Sequence, residues 1–126
     1  MAASYKELIV YQKAKNLTIE IIKYYYGQRL SFASQTMANQ LIRAVSSIGA
    51  NISEGYGRHY QKNYYQFLSI ARGSSFEADY WLDIAQETSQ KPNERIKEFI
   101  IKNEEIIKML TSLMKSLEKG DWRSQS

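Results

Sequence analysis

The sequence predicts an all-α fold, an up-down-up-down antiparallel four-helix bundle, on three observations. Apolar residues recur at three- and four-residue steps along four long stretches, no segment of convincing length alternates with the two-residue period of a strand, and the links between stretches are short. Short links between long helices force neighbours to run antiparallel. The chain has 126 residues, of which 44% are hydrophobic, with only one proline and six glycines to interrupt them. That is enough chain for one core and too little for two, so residues 1–126 are expected to form a single domain.

The first helix is expected over about 4–27, because Ser4-Tyr5-Lys6-Glu7 fits a capping box in which hydroxyl and carboxylate satisfy free N–H groups. Its stripe is Leu8, Tyr11, Ala14, Thr18, Ile21, Ile22 and Tyr25, and Gly27 suits a left-handed turn after it. The second helix, about 34–54, aligns Met37, Leu41, Ala44, Val45, Ile48 and Ile52 and stops where Gly55-Tyr56-Gly57 makes continuation costly. The third, about 60–87, aligns Tyr60, Tyr64, Phe67, Ala71, Ser74, Ala78, Trp81, Leu82 and Ala85. Gly73, Ser74 and Ser75 lower its propensity, so Gly73 and Ser74 are expected to admit a neighbouring backbone. Lys91-Pro92-Asn93 marks a turn into the fourth helix, about 92–119, whose stripe is Ile96, Phe99, Ile100, Ile107, Leu110, Met114 and Leu117. Gly120 ends it before a polar tail, 120–126. The expected core is Leu8, Ile22, Leu41, Val45, Ile48, Phe67, Ala71, Ala78, Leu110 and Met114.

Composition excludes much chemistry. No cysteine means no disulfide, thiolate nucleophile or zinc ribbon, and one histidine removes most triad and transition-metal sites. A bundle di-metal site needs two Glu-x-x-His motifs, whereas His59 has Tyr56 three residues before it. Glu54, Glu77 and Asp83 offer carboxylates for acid–base work, but such pairs are commonly surface charges. No enzyme activity, cofactor or metal is expected. No apolar run reaches a membrane span and no signal-peptide core follows Met1, so the protein is expected to be cytoplasmic with no membrane partner.

Charge is uneven. Residues 1–63 carry eight Lys or Arg against three acids, for +5; residues 64–126 carry nine against ten, for −1. A basic surface favours a polyanion partner by counterion release. Arg58, His59 and Lys62 cluster beside Tyr56 and Tyr60, and cations interleaved with aromatics hold phosphates and stack bases. Gly55-Tyr56-Gly57-Arg58 is no phosphate loop, since it lacks the Gly-Lys-Ser/Thr ending and a preceding strand. On the second helix Gln40, Arg43, Ser47, Asn51 and Glu54 fall within about 80° of one another at 100° per residue. Amide, hydroxyl, cation and anion together read as a hydrogen-bonded network or subunit boundary, with Glu77 as a further member, or as a ligand contact through Arg43. Of Tyr24-Tyr25-Tyr26, at least one must be exposed or at a subunit contact.

Three segments carry a family resemblance: Leu8-Ile9-Val10-Tyr11-Gln12-Lys13-Ala14, the run from Gln40 through Asn51-Ile52-Ser53-Glu54-Gly55 to Arg58, and Phe67 through Ala71-Arg72-Gly73-Ser74 to Glu77. They resemble the bacterial four-helix-bundle proteins encoded in intervening sequences of 23S ribosomal RNA genes, over about residues 5–87. Tyr11 stands where the family commonly has tryptophan, and Ile42-Arg43 where it has two arginines. The resemblance implies a non-catalytic homopentamer and a link to RNA. It extends to the accessory variability protein of diversity-generating retroelements, a basic pentamer that works with a reverse transcriptase. The expected function is therefore a ring-like homo-oligomer that binds RNA or another nucleic acid through Arg43, Arg58 and Lys62. The alternative is an interaction scaffold for a nucleic-acid-handling protein.

Overall fold

The computed structural model describes residues 4–120. A 3₁₀ turn, Tyr5–Glu7, precedes four helices: α1 (Ile9–Tyr25), α2 (Phe32–Tyr56), α3 (Gln61–Glu87) and α4 (Glu94–Glu118). No strand occurs among the described residues. Helix α2 packs on α1 and most extensively on α3, while α4 packs on α3 and α1. Pairings across each seam run in opposite senses. Thr18 shares its hydroxyl between the Ala14 and Val45 carbonyls while Tyr11 lies beside Gly49; Ser47 meets Ser74 while Gly55 meets Phe67. Ser75 bonds Asn103 and Tyr65 bonds Glu118; Lys13 pairs with Glu105 and Lys102 with Glu20.

Sequence and structure differ first at the N-terminus. The Ser4 hydroxyl does cap a helical start, but it accepts from the Lys6 N–H at 3.2 Å and the element is the 3₁₀ turn. Leu8 then turns extended (φ −68°, ψ 125°) to plug into the core, and α1 begins at Ile9. Its buried seam is Val10, Ala14, Leu17 and Ile21. Ile22, expected in the core, is 42% exposed because it stands one residue, or about 100°, past Ile21. The same one-residue offset makes Leu68 the core residue and leaves Phe67 half-buried, and it buries Ile106 rather than Ile107. Tyr60 is exposed. The other expected core positions, Leu8, Leu41, Val45, Ile48, Ala71, Ala78, Leu110 and Met114, are buried.

Helix α2 starts two residues earlier than expected because Ser31 caps it, accepting from the Ser34 N–H at 3.1 Å. It also runs through Gly55 to Tyr56. Gly55 is the close-approach glycine: a Cβ there would stand 2.5 Å from the Phe67 Cβ and 3.2 Å from a Tyr64 ring carbon. Gly73, expected to fill that role, faces open space with nothing within 4 Å. Ser74 does lie in the α2–α3 seam, its hydroxyl 2.9 Å from that of Ser47. Asn93 starts α4 by accepting from the Ile96 N–H, and its amide donates to the Tyr24 hydroxyl at 2.6 Å. Gly27 (φ +77°) and Gly120 (φ +73°) turn left-handed after α1 and α4. The polar tail beyond Gly120 lies outside the described residues. Of the three consecutive tyrosines, Tyr26 is exposed while Tyr24 and Tyr25 pack against the core.

One polar pair is fully buried. The Ser75 hydroxyl donates to Asn103 Oδ1 at 2.7 Å, and Asn103 Nδ2 donates to the Ser75 carbonyl at 2.9 Å. Each group answers the other, so α4 is fixed to α3 in one register without an orphaned polar atom.

The Gly55→Ala variant is expected to lose roughly 1–3 kcal/mol, since its new methyl is fixed to the backbone and meets the root of Phe67. Urea unfolding of variant and parent checks this; an unchanged midpoint would show that the two helices separate freely at this crossing.

Candidate nucleic-acid interface

The turn between α2 and α3 is built by backbone geometry. The Gly57 N–H bonds the Ser53 carbonyl and the Arg58 N–H bonds the Gly55 carbonyl, which closes α2. Tyr60 then enters α3 in an extended conformation with no side-chain cap, and its carbonyl accepts from the Asn63 N–H at 3.1 Å. Arg58, His59, Tyr60 and Lys62 are exposed there, with the His59 and Tyr60 rings edge to face at 4.8 Å. Arg58 is held in place: its guanidinium stacks 4.8 Å over the Phe67 ring and pairs with Glu54 at 3.7 Å. Both members of the ion pair are half-exposed, so the pair orients the cation more than it stabilises the fold.

The opposite-sense pairings bring further cations to the same end. The Tyr65 hydroxyl donates to Glu118 Oε1 at 2.6 Å and the Gln61 amide donates to the Leu117 carbonyl, so the end of α4 lies beside the start of α3. Exposed Lys115 and Lys119 therefore join Lys62. Sequence reasoning missed both lysines; antiparallel pairing of the third and fourth helices was the signal that could have placed them.

Arg43 does not join this cluster. It lies 13 residues, or about 20 Å, before the end of α2. There it lines an open groove of about 460 Å³ between α2 and α3 with Gln40, Ser47, Ser74 and Glu77. The structure joins three polar residues of this region: Asn51 Nδ2 donates to the Ser47 carbonyl (2.8 Å) and hydroxyl (2.9 Å), and Ser47 bonds Ser74. Glu77 instead accepts from the Trp81 indole N–H at 3.2 Å, and Glu54 turns to Arg58.

The chain has relatives among known proteins. A family model described as 23S rRNA-intervening sequence protein matches residues 6–112. The chain belongs to that family. A solved structure from Bacteroides thetaiotaomicron, described as a protein of unknown function from the S23 ribosomal protein family, is similar to it. The TM-score is 0.75 at 27% identity, over 85% of this chain and 99% of that one. No curated protein matches the chain. No helix among the described residues is long and apolar enough to cross a membrane. Nor do three His, Asp or Glu side chains among them gather as a metal site.

The titrations that shift lie away from the basic end or stabilise neutral forms. Burial, with Tyr24 beside it, pushes the Tyr25 hydroxyl up to about 12. Donation to Glu118 raises the Tyr65 hydroxyl. Burial foremost, then Glu104 and Asp83, raises the Asp79 carboxyl above its ordinary value of 3.8. A raised carboxyl pKa disfavours the charged form in the fold, so this penalty is absent below pH 3.8 and complete above the folded pKa. Asp79→Asn is therefore expected to raise the melting temperature at pH 7 and to lose that gain as pH falls through the folded pKa toward 3.8. Thermal melts of both proteins across this range check the sign.

Proposed function

We propose that the chain is a non-catalytic, self-assembling bundle, up-down-up-down and antiparallel, that works in the cytoplasm as a homopentamer. It binds RNA or single-stranded nucleic acid through its basic end, without strong sequence preference. One observation carries this reading: exposed Arg58, Lys62, Lys115 and Lys119 surround one end of the bundle beside the exposed His59 and Tyr60 rings. Such groups neutralise phosphates and stack bases whatever the sequence. The start of α3, without a side-chain cap, adds the favourable field of a helix N-terminus for phosphate. The family's description, which ties its members to intervening sequences of 23S rRNA, supports RNA as the polyanion. Opposite-sense seam pairings support the antiparallel order, and the five-fold number rests on the family resemblance. Arg43, on the side of the bundle, is a secondary contact at most in this reading.

A second reading is a protein-interaction scaffold, such as a partner of a reverse transcriptase, with no nucleic acid bound directly. It is favoured by the large apolar side chains left exposed along α3.

Titration of the protein with a structured RNA at several salt concentrations separates the two. Affinity is expected to fall steeply with salt. Arg58→Ala combined with Lys62→Ala is expected to flatten the log–log slope by about 0.7–0.9 for each phosphate no longer neutralised. Absent binding at about 50 mM salt, or binding indifferent to salt and to both substitutions, puts the scaffold first.

A further inference from the structure

Two faces of the bundle are left uncovered, and they differ in shape and charge. Along α3, Ile70, Phe76 and Tyr80 are 52%, 55% and 57% exposed. Gly73 stands among them on the same face, spending helix propensity with nothing packed against it inside the chain. Arg72 turns toward the Thr111 hydroxyl of α4, while the acids beside the ridge, Glu77 and Asp83, pair with no basic group among the described residues.

Between α1 and α2 lies the complementary form, a groove of about 240 Å³ with Tyr11 and Thr18 in its wall. Its floor is made of small residues, Ser46, Gly49, Ala50 and Ser53, and Ile19 and Lys15 form its rim. Exposed Ile22 and Tyr26 continue the apolar line along α1. Lys15 and Lys23 lack an ion-pair partner among the described residues, whereas Lys13 and Glu20 are taken up by α4. One face is thus ridged, with the acids Glu77 and Asp83 outside any ion pair among the described residues and Arg43 across the α2–α3 groove from Glu77; the other is grooved, with Lys15 and Lys23 outside any such pair.

We infer that the occupant of each face is a second copy of this chain: the Phe76–Tyr80 ridge of α3 seats in the α1–α2 groove of the next copy, with Glu77 directed to Lys15. The inference rests on the self-assembling reading above and specifies its interface. Because α1 and α3 sit at diagonal corners and pack on no common seam, one neighbour cannot cover both faces. A contact between unlike faces is heterologous, and such contacts close into rings when the rotation allows. A cavity floored by glycine, alanine and serine admits an aromatic side chain, and Gly73 lets the incoming backbone come close.

The absence of cysteine in the chain gives a direct test. The double variant Ala50→Cys, Phe76→Cys, treated with a short bismaleimide, is expected to give a ladder of cross-linked multimers, while each single variant stays at the mass of one chain. Phe76→Glu with Tyr80→Glu is expected to drop the light-scattering mass to 14.7 kDa while helicity by circular dichroism is retained. Ile101→Glu, on the exposed face of α4, is the control and leaves the mass unchanged. A parent that scatters as 14.7 kDa overturns self-assembly and this interface together. An oligomeric parent overturns the interface alone in either of two cases: single-cysteine variants cross-link into dimers, or the double glutamate variant keeps its mass.

Discussion

The crossing of α2 over α3 at Gly55 is the constraint on which the rest of the molecule depends. No side chain separates the helices there, and the Phe67 Cβ occupies the space that a Cβ of residue 55 would need. Helix α2 therefore lies close on α3 along its most extensive seam, where Ser47 and Ser74 meet hydroxyl to hydroxyl and Ala71 and Ala78 are buried. The crossing also sets where the basic turn points. Phe67, pressed against Gly55 on one side, offers its ring to Arg58, so the geometry that closes the helix pair also aims the cation. Hydrophobic burial alone has no such directional preference.

The opposite seam of α3 is fixed by a different device. Ser75 and Asn103 exchange hydrogen bonds in a fully dry position, and sliding α4 by one turn would strand both amide and hydroxyl in an apolar core. The α1–α4 seam carries ion pairs instead, Lys13–Glu105 and Lys102–Glu20, with half-exposed side chains. Pairs of that kind contribute little at ordinary salt. Position within the bundle is thus specified most tightly around α3, by steric contact on one side and polar exchange on the other.

How much of this was legible in the sequence follows from the physics of each signal. Helix number and order were, because a 3.6-residue period survives small errors in phase. Phase itself was less so: Ile22 for Ile21, Phe67 for Leu68 and Ile107 for Ile106 are all adjacent apolar pairs, between which a single sequence offers no choice. The close approach expected at Gly73 occurs at Gly55 for a related reason. A helical glycine leaves room for a close approach, but whether a neighbouring helix takes that room depends on the face it occupies, and Gly73 faces open space. The Ser75–Asn103 pair gave no signal, since a serine and an asparagine 28 residues apart look solvated until two helices are laid side by side. Arg58 and Lys62 were visible as neighbours in sequence, while Lys115 and Lys119 joined them only through topology.

Under the proposed function, the separation of the basic end from the apolar sides of the bundle bears on how a modest basic site would gain strength. The proposed contact between copies would engage Lys15 and Glu77 on the sides and leave Arg58, Lys62 and Lys119 uncovered, because those residues lie at the end of the helices rather than along them. In a ring of the proposed kind, rotational symmetry would place the same end of every copy on the same rim, so each added subunit would add an equivalent set of cations to one surface. A single patch of three or four lysines and arginines loses most of its affinity as salt rises. Several such patches at fixed spacing engage one long polyanion in concert, and the gain over a single patch reaches about 10²–10⁴-fold when the spacing matches the strand. The tether from Arg58 to Glu54 and Phe67 would favour the proposed binding, since a cation already held in place surrenders less freedom on meeting a phosphate.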